Sequence, residues 1–404
     1  MQRFKDAYTA VEAVQPENPL FLFRPDALSK AAGFFLSQFP GTVLYAIKTN
    51  PEPYVLKALY AEGVRHFDVA SLPEVVLARK LFGKDATLYF MHTVKSRQAI
   101  REAYHTHNVR HFSLDSEEEL MKILQETDNA KDLCLYVRLA IPNNYAELSL
   151  TDKFGINAVD AVPLLKKVRW HAAKLGICFH VGSQCMHPDA YRIAIRMARK
   201  TIRAAGVSVD MLDVGGGFPS VYPGMTPPPL HTFFSAIQEE FAAMKSGMKG
   251  GDNIQLMCEP GRALVAESGA VVVRVELRKH EMLYINDGTY GSLFDAGMPH
   301  FVFPLRLLRT NGDVAPTMLP FSFFGPTCDT LDFMKGPFYL PEDTAEGDYI
   351  EIGQLGAYGR IFTTGFNGFA PEKKAVAIKE EPLMTVFGES HAPTMSGPLE
   401  IIAA

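Results

Sequence analysis

Between residues 42 and 261, eight short apolar runs alternate with amphipathic stretches, and this rhythm restricts the fold more than any other feature of the chain. The runs are TVLYAIK (42–48), HFDVAS (66–71), TLYFMH (87–92), HFSLDS (111–116), LCLYVRLA (133–140), ICFHVGS (177–183), MLDVGGGF (211–218) and IQLMCEPG (254–261). Between them lie segments with helical spacing of apolar residues, such as PEPYVLKALYAEG, LPEVVLARKLFG and PDAYRIAIRMARKTIRAAG, several ending in a glycine of the kind that caps a helix C-terminus. Runs that are apolar almost throughout suit strands covered on both faces. Strand then helix, repeated eight times, predicts an α/β fold built on a (β/α)8 barrel over residues 26–264, with a doubly wound open sheet as the competing layout.

After residue 265 the texture changes. Segments such as AVVVRVEL, EMLYIND and DYIEIG are β-branched or aromatic and are broken by Gly and Pro, which predicts a C-terminal all-β domain over 265–404. LFLFRP (20–25) precedes the first barrel helix, and the N-terminal segment 1–25 is expected to give that β domain a strand. With 404 residues, 47% of them hydrophobic, the chain can bury one large core and a smaller one. A net charge of −5 with both signs interspersed gives no basic stripe for a nucleic acid. No apolar run approaches the roughly 18 residues that span a bilayer, and MQRFKDAYTA lacks a signal-like apolar region, so no membrane partner and a cytoplasmic location are expected. The five cysteines (Cys134, Cys178, Cys185, Cys258, Cys328) include no C-x-x-C pair, and neither a disulfide framework nor a metal site is expected.

In a barrel the strand ends form the functional face. Lys48 ends the first run, Asp68 and Ser71 the second, Arg138 lies near the end of the fifth, and His180 and Ser183 end the sixth. Gly215, Gly216 and Gly217 end the seventh, and Glu259 with Gly261 and Arg262 the eighth. Taken singly each has a plain explanation. A lone lysine is more often a snorkelling surface residue, a histidine after apolar residues a satisfied core group, a glycine triplet a tight turn, and Glu and Arg three apart a local pair. Together at matching strand ends they form a chemical set. A lysine amine can condense with a carbonyl, close-approaching glycine N–H groups suit a phosphate, a carboxylate can hold a pyridine nitrogen protonated, and an imidazole face can lie against a ring. This set matches pyridoxal 5'-phosphate (PLP) better than it matches an aldolase site.

The motifs YAIKTN, HVGSQC, DVGGGFP, CEPGR, GPTCDTLD (325–332), GAY (356–358) and FNGF (366–369) resemble, in order and spacing, those of the PLP-dependent ornithine and lysine decarboxylases of the alanine-racemase-like fold. The likeness runs from about residue 20 to about 370. It implies that Lys48 is the PLP lysine, Glu259 the pyridinium partner and His180 the ring-stacking residue. Ser183, Gly215, Gly216, Gly217, Gly261, Arg262 and Tyr358 are implied to hold the cofactor, with Asp68, Glu74 and Arg138 in support. Cys328 is implied to reprotonate the substrate α-carbon from the neighbouring subunit, Asp329 to meet the distal ammonium, and Phe366 to line the pocket. Lys153 and Asp332 are implied to pair across an obligate homodimer with two shared sites. For a second distal charge the segment YGSLFDAG offers Asp295, with Asp287 in NDG as the fallback, and this segment looks about two residues shorter than in the better-known eukaryotic enzymes. The activity implied is decarboxylation of L-ornithine to putrescine and CO2 in polyamine biosynthesis, with L-lysine to cadaverine alongside. The alternatives are a primary lysine decarboxylase, a non-catalytic decarboxylase-like regulator and, more remotely, a racemase or a diaminopimelate decarboxylase.

Overall fold

The computed structural model describes residues 1–142, 144–148, 153–248, 250–298, 301–369 and 374–388. The end of the expected β-domain span, 389–404, lies outside the described residues.

Eight strands close into a barrel: Thr42–Ala46, His66–Val69, Thr87–Phe90, His111–Leu114, Cys134–Arg138, Lys174–Cys178, Met211–Asp213 and Gln255–Cys258. Every neighbouring pair is parallel. Pairing of Met257 and Cys258 with Thr42 and Val43 joins the last strand to the first, which excludes the open sheet. The sixth strand begins three residues before the apolar run seen in the sequence. Lys174 there is exposed, and Gly176 makes room for the ring of Tyr136, which a Cβ would approach to 2.3 Å.

Six of the eight strands divide their side chains between two cores. Val43, Tyr45, Leu135, Val137, Ile177, Leu212, Leu256 and Cys258 pack outward with the helices, whereas Leu44, Cys134, Tyr136, Cys178, Met211 and Met257 fill a separate cluster inside the barrel. The alternation is hidden in the sequence because both faces are apolar. The helices start and stop where local chemistry dictates. Ser71, Ser96 and Ser116 accept N–H bonds at helix N-termini, and Gly206 ends the helix Asp189–Ala205 with φ at 65°.

Among the described residues, the larger β sheet outside the barrel has nine strands. Leu20–Phe23 pairs antiparallel with Gly269–Lys279 and parallel with Ala375–Ile378, so the N-terminal segment is woven into this sheet. Tyr349–Ile352 and Met282–Ile285 also pair antiparallel with Gly269–Lys279. Behind the N-terminal strand, Arg24 is buried against Glu351, which also takes Arg306 at 2.7 Å. Among the described residues no helix is long and apolar enough to cross a membrane.

Candidate active site

The strand alternation decides which polar groups face the barrel axis. Counting in twos from the inward residues Leu44, Tyr136, Cys178, Met211 and Met257 arrives at Lys48, Arg138, His180, Asp213 and Glu259. Asp68 follows by the same count, because its neighbours Phe67 and Val69 belong to the outer core. All lie at the C-terminal strand ends, where the βα loops emerge.

Lys48 sits in a short 3-10 turn, Ile47–Thr49, directly after the first strand. Its Nζ lies 3.2 Å from Asp68 Oδ2, and Asp68 is 2% exposed while the lysine is open to the cavity. The Asp68 carboxylate, more than offsetting burial, raises the lysine above its usual range. Asn50, two residues on, donates to the carbonyl of Gly356 at 2.8 Å, and the Tyr358 N–H donates to the carbonyl of Thr49 at 3.1 Å. The YAIKTN segment thus ties the loop carrying Tyr358 to the barrel mouth.

A cavity opens here, lined by Lys48, His180, Ser183, Gly216, Gly217, Glu259, Gly261, Arg262 and Tyr358 among others. His180 Nδ1 accepts the N–H of Gly182 at 3.0 Å, and burial holds its pKa well below the usual value, so the ring is neutral. Arg262 is 4% exposed; it donates to Tyr222 OH at 2.8 Å and to Ser183 Oγ at 3.4 Å. Glu259 Oε1 is buried with no hydrogen-bond partner among the described residues. Burial first, and then the charge of Asp213, raises its pKa well above the ordinary carboxyl value.

The glycines leave space that side chains would fill. A Cβ on Gly216 would come 2.7 Å from the carbonyl oxygen of Glu259 and 3.1 Å from His180 Nε2, and one on Gly261 would lie 2.1 Å from Thr49 Oγ1. Gly217 has φ at 101°, where an L side chain is strained. Gly215 donates to Asp213 Oδ1 at 2.8 Å and accepts the Glu259 N–H at 2.8 Å, which joins the seventh and eighth strand ends.

These residues fit PLP. The cavity offers an open amine at one side, a buried acceptor without a donor on its floor, a neutral ring, and a cradle of glycine N–H groups beside a buried arginine. Replacing Gly216 with alanine is expected to weaken PLP binding by about tenfold or more, because the new methyl must displace the Glu259 backbone or His180. Titration of the cofactor-free variant with PLP measures it, and unchanged affinity would place the cofactor elsewhere.

The other expected residues fall into a second group on the β domain. Cys328 is exposed, and its N–H donates to Asn367 Oδ1 at 3.0 Å. Asp329 Oδ2 accepts the Tyr290 hydroxyl at 2.6 Å, and the Tyr290 ring lies 5.0 Å from that of Phe366, which is 41% exposed. None of Cys328, Asp329 and Phe366 lines the cavity around Lys48.

Three expectations meet different surroundings. Asp295, expected to face the distal end of a substrate, is buried with Oδ2 3.2 Å from Arg262 Nη2, so its charge is engaged at the cofactor side. Asp287 is buried in its own turn: Oδ1 accepts the N–H groups of Gly288 and Ser292 at 2.8 and 2.9 Å, and Oδ2 accepts the Ser292 hydroxyl. Asp332, expected to pair with Lys153 across a dimer, is 1% exposed and takes bonds from the N–H and hydroxyl groups of Thr289 and Thr327 at 2.7 to 3.1 Å. Its lone pairs are engaged by Thr327 of its own loop and by Thr289 from 43 residues earlier, whereas Lys153 is exposed with its Nζ 5.1 Å from the centre of the Phe154 ring. Glu74 lies beside the second strand end, where its Oε2 accepts the Ala70 N–H at 2.7 Å and burial pushes its pKa to about 7. Arg138, at the fifth strand end, has its guanidinium 5.5 Å from the centre of the Phe154 ring. Asp213 was not among the expected site residues, although its two-residue spacing from Met211 puts it on the inward face.

Residues 26–266 match the family described as pyridoxal-dependent decarboxylase, pyridoxal binding domain. The chain is 32% identical over 337 residues to a lysine/ornithine decarboxylase of Selenomonas ruminantium, covering 81% of each protein. It is also similar to antizyme inhibitor 2 of Xenopus laevis, at 30% identity over 351 residues, 80% of this chain and 73% of that protein. The fold superposes on the lysine/ornithine decarboxylase of Vibrio vulnificus complexed with putrescine with a TM-score of 0.76 at 28% identity, covering 93% of this chain and 99% of that one. A PLP-fitted cavity at the mouth of a closed barrel and these matches agree: the chain belongs to the family of pyridoxal-dependent decarboxylases.

Proposed function

We propose that the protein is a cytoplasmic homodimer that decarboxylates L-ornithine to putrescine and CO2, with L-lysine to cadaverine as a second activity, in polyamine biosynthesis. Similarity to lysine/ornithine decarboxylases supports the substrate class. The observation that carries the reading is Asp329. Its carboxyl is held below the usual range by the Leu331 N–H and the Tyr290 hydroxyl, beside an exposed thiol and an exposed aromatic ring. An anion so placed suits the distal ammonium of a diamino acid, which is costly to enclose without a partner.

When bound, PLP supplies an electron sink for the carbanion left at Cα once CO2 departs. The protein's own residues do the rest. Lys48 would hold the cofactor through its amine and exchange a proton with the substrate amine, with Asp68 stabilising the charged form. Glu259 would accept the N–H of the pyridine ring, and the neutral imidazole of His180 would pack against that ring. Arg262, Ser183 and the glycine N–H groups would hold the phosphate. Cys328 delivers a proton to Cα. Cys328, Asp329 and Phe366 do not line the Lys48 cavity, which supports a site completed by the loop of a second copy.

Steady-state comparison of ornithine, lysine, arginine and diaminopimelate tests the reading. Ornithine and lysine are expected to lead, and an Asp329→Ala variant is expected to lose about a hundredfold in kcat/KM for both. A preference for arginine or diaminopimelate, or an indifferent Asp329, would reject it. The similarity to antizyme inhibitor 2 supports a second reading, a non-catalytic regulator. Lys48, the glycine triplet, Glu259 and Cys328 are all present and weigh against it. Purified protein that lacks the visible absorption of bound PLP and releases no diamine would favour it.

A further inference from the structure

Asp213 is wholly buried at the end of the seventh strand, directly beside the cavity floor. One of its oxygens, Oδ1, accepts the Gly215 N–H at 2.8 Å; the other, Oδ2, has no donor. Glu259 Oε1, on the adjacent strand end, also has none. Asp213 pairs in register with Met257, two residues before Glu259, and the Glu259 N–H bonds the carbonyl of Gly215 at 2.8 Å, so the two orphaned carboxyl groups sit on neighbouring strand ends. Ionised carboxylates only accept, so a hydrogen bond between them needs a proton on one of them.

We propose that Asp213 is a positioning residue for Glu259: it keeps one proton, shared between the two carboxyl groups, and donates it to Glu259, whose anionic face stays turned to the cavity. The inference rests on the reading of Glu259 as the partner of the cofactor's ring nitrogen. In this arrangement Glu259 has two places to fill, one taken by Asp213 and one left for a donor in the cavity. Without the shared proton the two charges repel, and Glu259 is no longer held.

The surroundings favour retention of that proton. Asp68 adds a third carboxylate to the site, against the positive charges of Lys48 and Arg138; His180 is neutral, and Cys178 and Cys258 are buried thiols. Burial pushes Asp213 up to about 6 and raises Glu259 well above the ordinary carboxyl range, which favours a proton retained by the pair. A folded state that binds more protons than the unfolded chain loses stability as pH rises.

The test uses pyridoxamine 5'-phosphate, which makes no covalent bond to Lys48, and measures its affinity for the cofactor-free protein from about pH 6 to about pH 9. Asp213→Asn supplies a permanent N–H donor; it is expected to bind as wild type does at the acid end and to keep that affinity where wild type loses it. Asp213→Ala removes the donor and is expected to bind about tenfold more weakly throughout. Equal loss in the Asn and Ala variants, or wild-type behaviour in both, would overturn the proposal. Glu259→Gln separates the two readings: if it binds like wild type, the assignment of Glu259 itself fails, whereas weak binding there with wild-type binding by Asp213→Ala rejects Asp213 alone. If Asp213→Asn does not fold, the thermal midpoint of the cofactor-free wild type decides. It is expected to fall over the same pH range more steeply than that of Glu259→Gln, and equal slopes would reject the shared proton.

Discussion

Replacing Lys48 with alanine is expected to abolish decarboxylation while leaving a folded protein. The lysine is the amine open to the cavity, and the reaction needs an amine that both anchors the cofactor and gives way to the substrate. Loss of that role is expected to lower the rate at least about a thousandfold. The variant also leaves Asp68, which is 2% exposed, without its nearest cation. Removing one member of a fully buried ion pair costs about 3–5 kcal/mol, and the opening of Lys48 to the cavity lowers that figure. Lys48→Arg separates the two effects, because a guanidinium keeps the charge beside Asp68 but does not condense with an aldehyde at neutral pH. Both variants should lack the visible absorption of bound PLP and release no CO2, and the arginine form should melt closer to wild type. The pairing raises the pKa of Lys48, so its stabilisation is fully present below the ordinary lysine pKa and is lost only as pH rises through the folded value; the comparison at neutral pH is therefore clean. Full activity in Lys48→Ala would end the proposed mechanism.

The barrel was legible because each strand carries its own signal within a few residues, and closure follows once eight such units exist. What the sequence concealed is the face each residue takes. Both faces of TVLYA are apolar, so nothing in that run alone separates inward Leu44 from outward Val43 and Tyr45. Once one inward residue is known, counting in twos recovers Lys48, Asp68, Arg138, His180 and Glu259, and it also yields Asp213, which looks like an ordinary strand end in MLDVGGGF. The acidic residues of the β domain were less readable for a different reason. Their partners are decided by contacts across long separations: Asp332 meets Thr289, 43 residues earlier, and Asp295 meets Arg262, 33 residues earlier. A resemblance in motif order identifies such residues but not which of their neighbours takes the charge. Glu259 is the opposite case, since its strand position was readable and only the fold shows that its buried oxygen has no donor.

Mixing two inactive variants is expected to restore activity. Cys328→Ala removes the proton donor from the β-domain loop and is expected to lower turnover about a hundredfold, which a general acid of this kind can account for. The thiol is exposed and its loop is held by the N–H bond to Asn367, so the substitution should leave stability almost unchanged. If each site combines the Lys48 of one copy with the Cys328 of another, a two-fold dimer made of one Lys48→Ala chain and one Cys328→Ala chain has one site with both defects and one with neither. Random reassociation of equal amounts makes half the dimers mixed, each with one intact site of two, so about a quarter of wild-type activity should return. The rise from near zero is large and requires no structural knowledge of the interface. It also separates the shared site from its alternative: if one chain supplied both residues, every site would still lack one of them and mixing would restore nothing. Activity measured before and after denaturant-driven exchange of the two variants, with homodimers of each as controls, gives the answer.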